Sequence, residues 1–434
     1  MPSPPSLPTN PEIVIVGAGA AGVGAGLALT RAGIPFVILE AKARIGGRAY
    51  SEAATVGQLW DHGAQWFHAA ERNPLRMIAE RIGHPFLAEE EDWASRWYRD
   101  GRALTSAEQD AGGEVLGAAF ELSDAAGAAG RDISQAEAAG LAEPYGPFAK
   151  FVFEAIGSGP ADEMSALDVF RYDGGTLDYP VTGGYGRLIE QLGQGLPIRL
   201  DCPVTAIEAA PGGLDVATES GTLRARAVIL TVSNNVLLSG RIGLDRPLPG
   251  VLAHLPCGDC EKIAVELTGS ALADMAGDKF LARHGGDVFS LHVQPYGRSM
   301  VTAYLAGEHA KRMGAAGVDE ARALILEVLT SVYGSAVRKG LGRAAITGWS
   351  RDPHVLGAYS YATAGHAAAR PQLMAADLAP VFLAGEALVL DWYSTVHGAY
   401  VSGVQTAHKV ASYLGRTLPD ADPLWLPKSL ERAP

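Results

Sequence analysis

The clearest pattern of hydrophobic and polar positions lies at the start of the chain. Residues 13–16 form an uninterrupted run of β-branched side chains, which is typical of a strand buried on both faces. The alanine- and glycine-rich stretch that follows predicts a helix from about residue 20 to residue 32, ended by Gly33. Residues 35–39 form a second apolar run, which ends at Glu40. Strand, helix and strand in this order predict a βαβ unit with parallel strands that binds a dinucleotide.

Three glycines of the predicted turn have the spacing G-x-G-x-x-G. Gly17 permits the tight turn, Gly19 lets the backbone approach a pyrophosphate, and Gly22 lets helix and strand pack closely. The helix directs its N-terminal N–H groups and the positive end of its dipole towards that pyrophosphate. Glu40 is placed to accept hydrogen bonds from a ribose diol and would repel a 2′-phosphate, which disfavours NADP. The glycine pattern alone leaves NAD and FAD open.

The rest of the chain divides into helical and strand-rich segments. Residues 71–150 have helical spacing and predict a helical insertion. Short strands with glycine-rich turns are predicted over 196–232, and more strands over 258–305. Helices are predicted at 319–334 and 397–415.

This order predicts the α/β class, with a discontinuous Rossmann-like dinucleotide-binding domain and an α+β substrate-binding domain. The active site is expected between them, as is common for two such domains. The predicted boundaries are 12–70, 185–250 and 350–415 for the first domain, 71–184 and 251–349 for the second, 1–11 for a disordered lead-in and 416–434 for a C-terminal tail.

Composition and charge exclude several classes of function. The 434 residues exceed what one hydrophobic core usually supports, and a net charge of −13 without a Lys/Arg-rich run disfavours nucleic acid as a partner. No charge-free apolar run reaches the roughly 18 residues of a transmembrane helix. The first 11 residues have neither basic residues nor a hydrophobic segment, unlike a signal peptide. We therefore expect a cytoplasmic protein without a membrane partner; the sequence specifies no oligomeric state.

The three cysteines predict neither a disulfide framework nor a metal site. Cys257 and Cys260 form C-x-x-C, with His254 close by, but a second ligand pair does not accompany them as a structural zinc site requires. We expect these two residues and Cys202 to be packing thiols, and we expect no bound metal.

Residues 13–48 as a whole resemble the FAD-binding segment of the flavin-dependent amine oxidases, which include monoamine oxidases, polyamine oxidases and histone lysine demethylases. The R-x-G-G-R sequence that ends this segment is the discriminating part, because a generic NAD-binding unit lacks it. The resemblance implies FAD as the cofactor, with Glu40 at the adenosine ribose and Arg48 at the pyrophosphate. Ala20, Ala21 and Ala41 belong to the same cofactor-binding segment.

Further segments extend the resemblance over nearly the whole chain. They are residues 59–68, 180–192, 202–208, 227–238, 346–365 and 383–403. Ser233 stands where the family usually has a proline. The cofactor contacts that these segments imply are Gly63, Ala64, Gln65 and Trp66 under the flavin, Val204 on the second adenine-side strand, Gly385, Glu386 near the ribityl and phosphate chain, Thr395, and Val396 near the pyrimidine edge.

The resemblance also implies catalytic residues. Lys262 matches the lysine that holds a water molecule against flavin N5, and Trp349 matches a tryptophan that packs against the flavin ring. Tyr359 matches an aromatic wall beside the amine, and the facing wall position holds Thr395 in place of a second tyrosine. His68 matches a histidine that contacts substrate in polyamine oxidases of the animal type.

Two substitutions narrow the expected chemistry. Trp66 stands where L-amino acid oxidases carry a carboxylate-binding arginine, which disfavours amino acids as substrates. Ala358 stands in the region where monoamine oxidases carry the cysteine linked to FAD, so the resemblance implies non-covalent FAD.

The expected function is FAD-dependent oxidation of a primary or secondary amine by hydride transfer to flavin N5. The imine would hydrolyse to an aldehyde or ketone, and O2 would be reduced to H2O2. A polyamine and a small cyclic or aryl-alkyl amine both remain open: His68 favours the first, and the lack of an acidic cluster in the matched motifs disfavours it. Alternatives are an FAD-dependent desaturase or porphyrinogen-type oxidase acting on C–C bonds, and a non-catalytic FAD-bound scaffold.

Overall fold

The computed structural model describes residues 11–89, 96–269, 275–420 and 422–430. Its strands are β1 (Ile13–Val16), β2 (Phe36–Leu39), β3 (Ser51–Glu52), β4 (Trp60–Asp61), β5 (Trp66–Phe67), β6 (Arg96–Arg99), β7 (Arg102–Ala103), β8 (Tyr179–Pro180), β9 (Ile198–Arg199), β10 (Val204–Ala210), β11 (Gly213–Thr218), β12 (Gly221–Ala225), β13 (Ala227–Leu230), β14 (Gly243–Leu244), β15 (Cys260–Leu267), β16 (Lys279–His284), β17 (Asp287–Val293), β18 (Met300–Ala306), β19 (Leu341–Ile346) and β20 (Val381–Leu383). Its α-helices are α1 (Ala20–Ala32), α2 (Pro74–Ile82), α3 (Ser106–Ala128), α4 (Gln135–Ala139), α5 (Gly146–Gly157), α6 (Ala166–Phe170), α7 (Tyr185–Leu192), α8 (Asn234–Leu238), α9 (Gly307–Ala316), α10 (Val318–Tyr333), α11 (Ala369–Ala375) and α12 (Val396–Tyr413).

The predicted βαβ unit is confirmed and forms the centre of a five-stranded parallel sheet. The strand order is β20-β13-β1-β2-β9, and every residue of β1, β2 and β13 is buried. Helices α1 and α12 pack against each other on this sheet. A Cβ atom at Gly403 would lie 1.9 Å from the Ala21 carbonyl oxygen, and one at Gly24 would lie 2.4 Å from that of Tyr400. The two backbones can therefore approach this closely only with glycine at the contacts.

The described residues form four further sheets. One has four strands in the order β12-β11-β10-β14, one has seven in the order β19-β15-β18-β17-β16-β6-β7, and two have only two strands each, β3-β4 and β5-β8. The seven-stranded sheet is antiparallel except for the parallel pair of β16 and β6. The helices predicted at 319–334 and 397–415 are confirmed as α10 and α12. Residues of the five-, four- and seven-stranded sheets line a common cavity, described below.

The segment predicted as a helical insertion contains a hairpin as well as helices. Strands β6 and β7 lie within it and extend the edge of the seven-stranded sheet. Trp97 stacks on Phe148 with ring centroids 4.7 Å apart, and Tyr98 meets Phe280 edge-on at 5.0 Å. The burial of these two rings outweighs the helical spacing of the flanking sequence. The prediction of a helical insertion therefore missed this hairpin.

The two ends of the chain differ. Residues 1–10 of the predicted lead-in lie outside the described residues. Leu426 and Leu430, in the predicted C-terminal tail, are buried in the hydrophobic cluster around α1 and α12. These two leucines of the predicted tail are thus part of the core. None of the helices in the described parts of the chain combines the length and the apolar character that a membrane crossing requires.

Helix α3 offers a test of stability away from the cavity. Gly113 and Gly117 are exposed, and a Cβ atom at either would have no neighbour within 4 Å. Alanine favours a helix over glycine by roughly 0.8–1 kcal/mol per site, so the Gly113→Ala/Gly117→Ala variant should melt about 1–2 °C higher. Gly112→Ala is the matched control, because its Cβ atom would lie 2.5 Å from the Trp97 ring and should lower the melting temperature. Differential scanning fluorimetry measures the melting temperatures of both variants and of the wild type. An unchanged or lower melting temperature for the double variant would contradict the prediction.

Candidate active site

A cavity of about 1320 Å³ opens at the carboxyl ends of the parallel strands β1 and β2 and continues to one face of the seven-stranded sheet. Nearly all the site residues predicted from the sequence line it. They are Gly17, Gly19, Ala20, Ala21, Glu40, Ala41, Arg48, Gly63, Ala64, Gln65, Trp66, His68, Val204, Lys262, Trp349, Tyr359, Gly385, Glu386, Thr395 and Val396.

Gly22 is the one predicted site residue that does not line the cavity. It packs beneath the turn: a Cβ atom there would lie 1.9 Å from the Gly17 carbonyl oxygen and 3.5 Å from the Ile15 side chain. This position agrees with the close helix–strand packing that the glycine spacing predicts. Gly17 has a φ of +105°, and its Cβ atom would lie 2.6 Å from Thr231 Oγ1, so this position also requires glycine.

The turn between β1 and α1 fits a pyrophosphate. The N-cap of α1 is Gly19, which offers no side-chain acceptor, and the first turn contains no acidic residue. Its N–H groups and positive dipole end are thus free to bind an anion. A Cβ atom at Gly19 would have only ordinary contacts in the protein, the closest being Gly47 Cα at 3.9 Å, so the space in front of the turn is open.

Glu40 is held at the end of β2, where a ribose would bind. Its two carboxylate oxygens accept hydrogen bonds from the backbone N–H groups of Ala18, at 2.7 Å, and Lys42, at 2.9 Å. These bonds fix the carboxylate beside the turn while its remaining lone pairs can accept from hydroxyl groups. The turn and Glu40 together fit the adenosine diphosphate part of FAD.

Arg48 and Glu386 form an ion pair at the wall of the cavity. Arg48 Nη1 donates to Glu386 Oε1 at 2.9 Å and to the Ala358 carbonyl at 2.6 Å. Burial raises the pKa of Glu386, but Arg48 and a hydrogen bond from Ser360 Oγ at 2.7 Å outweigh it, so the net pKa is lowered. Burial correspondingly opposes the charge of Arg48, and Glu386 raises its net pKa. Both groups are charged at neutral pH.

A second buried ion pair, which the sequence did not reveal, supports the first. The fully buried Arg370 donates to Asp168 through Nη2 at 3.0 Å and to Ser360 Oγ through Nη1 at 3.2 Å. Its guanidinium carbon lies 3.9 Å from the centroid of the Tyr393 ring. Arg370 and Asp168 are 202 positions apart, so no local motif could have paired them.

Lys262, on β15, places a buried ammonium group in the cavity. Its Nζ donates to the carbonyl of Gly63 at 2.7 Å, to Gln65 Oε1 at 2.9 Å and to the carbonyl of Asp61 at 3.3 Å. Burial lowers the pKa of Lys262 to about 8, although the Asp61 carboxylate opposes the shift. The lysine therefore changes charge just above neutral pH, within the cavity that the motifs define.

Aromatic residues surround this lysine. Its Nζ lies 5.3 Å from the centroid of the Trp66 ring and 5.7 Å from that of Tyr304. Tyr304 Oη lies 2.8 Å from Tyr359 Oη. Trp349 is buried, and its indole N–H donates to the carbonyl of His62 at 3.2 Å. Tyr304 and His62 also line the cavity, and sequence reasoning had singled out neither.

The remaining predicted residues lie at the edges. His68 Nδ1 is 2.9 Å from Asp178 Oδ2, and both side chains are substantially exposed, at 41% and 54%. Thr395 is the N-cap of α12: its Oγ1 accepts from the Gly398 N–H at 2.9 Å and donates to the Trp392 carbonyl at 2.7 Å. Val396 therefore begins a helix whose N-terminus lies at the cavity.

The three cysteines lie in the packed interior of the protein. Cys202, Cys257 and Cys260 are free and buried. Among the described residues, no group of three or more His, Cys, Asp or Glu side chains is arranged to hold a metal ion. Ser233, at the place of the usual proline, caps α8 by accepting a hydrogen bond from the Val236 N–H at 3.2 Å.

Comparison with known proteins gives the class of this one. Residues 134–411 match the family model of flavin containing amine oxidoreductases, and residues 15–82 match that of an NAD(P)-binding Rossmann-like domain. The first match spans more than half of the chain, which therefore belongs to the flavin containing amine oxidoreductase family. FAD is the standard cofactor of this family. The predicted resemblance and cofactor are confirmed.

Similar curated proteins include histone demethylases and polyamine oxidases. The chain is 26% identical to human lysine-specific histone demethylase 2, over 93% of this chain and 54% of that protein. It is 28% identical to polyamine oxidase 1 of Oryza sativa, over 93% of this chain and 98% of that protein. The chain thus spans about half the length of the demethylase and nearly all of the polyamine oxidase.

Solved structures share the fold. Cyclohexylamine oxidase from Brevibacterium oxydans superimposes with a TM-score of 0.79 at 19% identity, over 94% of this chain and 100% of that one. A redesigned putrescine oxidase gives 0.76 at 20% identity, over 93% and 99%. The predicted α/β fold class, with a Rossmann-like domain in a two-domain amine oxidase fold, is confirmed.

Proposed function

We propose that this enzyme oxidises a primary or secondary amine with an apolar substituent, such as a small cyclic or aryl-alkyl amine, and reduces O2 to H2O2. The observation that carries the proposal is the apolar lining on the substrate side of the cavity. Phe120, Phe151, Phe153, Ile156 and Leu291 contribute to it. Hydrophobic walls bind an apolar substituent and exclude water from its amine end.

The distribution of carboxylates disfavours a polyamine. The described carboxylates that line the cavity are Glu40, Asp178, Glu219 and Glu386. Glu40 and Glu386 are engaged as described above, and Glu219 lies in the turn between β11 and β12, beside the Rossmann-like part. Asp178 alone remains on the substrate side, where it pairs with His68. A substrate with several ammonium groups would leave charges unpaired against apolar walls, which is costly.

We assign roles to the residues around Lys262. FAD, when bound, accepts the hydride equivalent that the carbon next to the amine gives up. Tyr359 forms a wall for the amine, Trp349 supports the flavin side, and Lys262 supplies a fixed positive charge. The Lys262 hydrogen bonds to the Gly63 and Asp61 carbonyls support this role, because they fix the ammonium group at one place. We further propose that FAD is held without a covalent bond, with Ala358 at the position of the linking cysteine.

We also propose the two-domain division given above. The division is supported by the parts of the chain that supply the strands of each sheet. The strands of the five-stranded sheet all lie within 12–70, 185–250 and 350–415. The strands of the seven-stranded sheet all lie within 71–184 and 251–349. The cavity lies between these two sheets, where an active site is expected.

Anaerobic titration of the FAD-loaded protein tests the function. Cyclohexylamine and benzylamine should bleach the flavin absorbance at concentrations about 10-fold or more below those needed for putrescine or spermidine, and peroxide should form in air. Acid precipitation should leave FAD in the supernatant. Bleaching by polyamines alone would overturn the apolar-substrate proposal. Oxidation of a porphyrinogen or polyene without amine oxidation would favour C–C chemistry, and no bleaching at all would favour a scaffold.

A further inference from the structure

Tyr304 stands between Lys262 and Tyr359, two of the residues that the sequence assigned to catalysis. On the antiparallel strands β18 and β15, Tyr304 is directly opposite Lys262, so their side chains lie on the same face of the sheet. That face lines the cavity, and Tyr304 contributes to the lining. Its hydroxyl lies 2.8 Å from that of Tyr359. Tyr304 is therefore next to the place where the amine is proposed to bind.

The hydrogen bonds of the two tyrosines determine which hydroxyl donates. Tyr359 Oη donates to the carbonyl oxygen of Ala155, which can only accept. A hydroxyl group has a single proton, so the bond between the two tyrosines is donated by Tyr304. Burial raises the pKa of both tyrosines well above the ordinary value, so both keep their protons. Tyr304 therefore has no donor left, and its oxygen can only accept a further hydrogen bond.

Cys260 does not remove this capacity. Its Sγ lies 3.6 Å from the carbonyl of Glu154, which can take the thiol proton, and 3.4 Å from Tyr359 Oη. Burial raises the pKa of Cys260 to about 12, so the thiol stays neutral. Cys260 also hydrogen-bonds Tyr304. A hydroxyl oxygen has two lone pairs, so even where the Cys260 thiol donates to it, Tyr304 Oη keeps one lone pair for a ligand.

The Lys262 ammonium group cannot accept a hydrogen bond from the substrate amine. Its ammonium group has three N–H bonds, and three acceptors surround it: the carbonyls of Gly63 and Asp61 and the Gln65 side chain. The resulting positive charge, 5.7 Å from the Tyr304 ring centroid, disfavours an ammonium group nearby and favours the neutral amine. A neutral amine is also the form that can give up a hydride equivalent.

We propose that the Tyr304 hydroxyl oxygen accepts a hydrogen bond from the nitrogen of the amine substrate and so orients its reacting carbon. The proposal rests on the proposed amine oxidation, which it deepens by naming the group that recognises the amine. An accepting hydroxyl at Tyr304 would favour the binding of ligands with an N–H donor. It would not strengthen the binding of ligands of the same shape that can only accept a hydrogen bond.

The test compares Tyr304→Phe with the wild-type holoenzyme, using cyclohexylamine as substrate and cyclohexanone as a competitor that only accepts hydrogen bonds. The variant should need about 5- to 10-fold more cyclohexylamine for half-maximal anaerobic bleaching, the usual effect of losing one hydrogen bond. The inhibition constant of cyclohexanone should stay within about twofold. A general loss of packing would instead weaken the binding of cyclohexylamine and of cyclohexanone to the same extent.

Two further variants complete the design. Tyr361→Phe is the matched control, because that hydroxyl bonds Glu163 Oε2 at 2.8 Å and Tyr361 does not line the cavity; both ligands should bind it as they bind the wild type. Tyr359→Phe frees the Tyr304 proton, so cyclohexanone should bind more tightly. Equal cyclohexylamine titrations of the wild type and Tyr304→Phe, or parallel losses for both ligands, would overturn the proposal. A wild type that no amine bleaches would instead overturn the proposed function.

Discussion

Lys262→Met should slow the reaction of the reduced enzyme with oxygen by roughly 100-fold while FAD stays bound, the effect typical of removing one preorganised electrostatic partner. Transfer of electrons to O2 builds negative charge, and the Lys262 ammonium is held for it by three hydrogen bonds in a buried site. Methionine fills a similar volume without charge. Rapid mixing of the amine-reduced protein with oxygenated buffer measures this rate directly, separately from anaerobic reduction by the amine.

The control for Lys262 is Lys311→Met, an exposed lysine on α9 that does not line the cavity. It should react with oxygen as the wild type does. Both variants should retain the full absorbance of bound FAD, because neither changes the turn at Gly19 or Glu40. An oxygen rate for Lys262→Met within a few-fold of the wild type would remove Lys262 from this step.

The same argument gives a pH dependence with a defined sign. Because burial lowers the pKa of Lys262 to about 8, its charged form is present below that pH and is lost above it. The oxygen rate of the wild type should therefore fall as the pH rises through about 8, and the rate of Lys262→Met should be flat there. A fall of the same size in both would assign the titration to another group.

Features that depend on neighbouring residues in the sequence were predictable. The βαβ unit is encoded by apolar runs, by glycines at fixed spacing and by one acid, so the turn, α1 and Glu40 could all be placed from residues 13–40. Lys262 was found in the same way, from its place among motifs of the family. In each case the functional residues lie within short sequence motifs, and the fold brings these motifs together.

Features that depend on distant residues were not predictable. Arg370 and Asp168 form a buried ion pair across 202 positions, and an isolated arginine in an alanine-rich stretch gives no sign of such a partner. Tyr304 belongs to the site because β18 pairs with β15 in a particular register. Register across a sheet is set by long-range packing, so an ordinary strand tyrosine could not be recognised as a cavity residue in advance.

Gly19→Ala should yield a folded protein that binds FAD about 10- to 100-fold more weakly, since one added methyl group in a close-packed contact costs about 1–3 kcal/mol. The backbone at Gly19 is extended, with φ −74° and ψ −175°, a conformation that alanine adopts readily. Within the protein, the new Cβ atom would have only ordinary contacts, beginning at 3.9 Å. The methyl group would instead occupy the space in which the pyrophosphate has to approach the backbone.

Gly22→Ala separates loss of the cofactor from loss of the fold. Its Cβ atom would lie 1.9 Å from the Gly17 carbonyl oxygen, so this variant should lose structure as well as FAD. Gly19→Ala should keep the circular dichroism spectrum of the wild type. Its melting temperature should equal that of wild-type protein stripped of FAD. Excess FAD should raise the melting temperature of Gly19→Ala less than that of the stripped wild type. If Gly19→Ala is purified with a full complement of FAD, the pyrophosphate does not approach the backbone at Gly19. The cofactor must then lie elsewhere in the cavity.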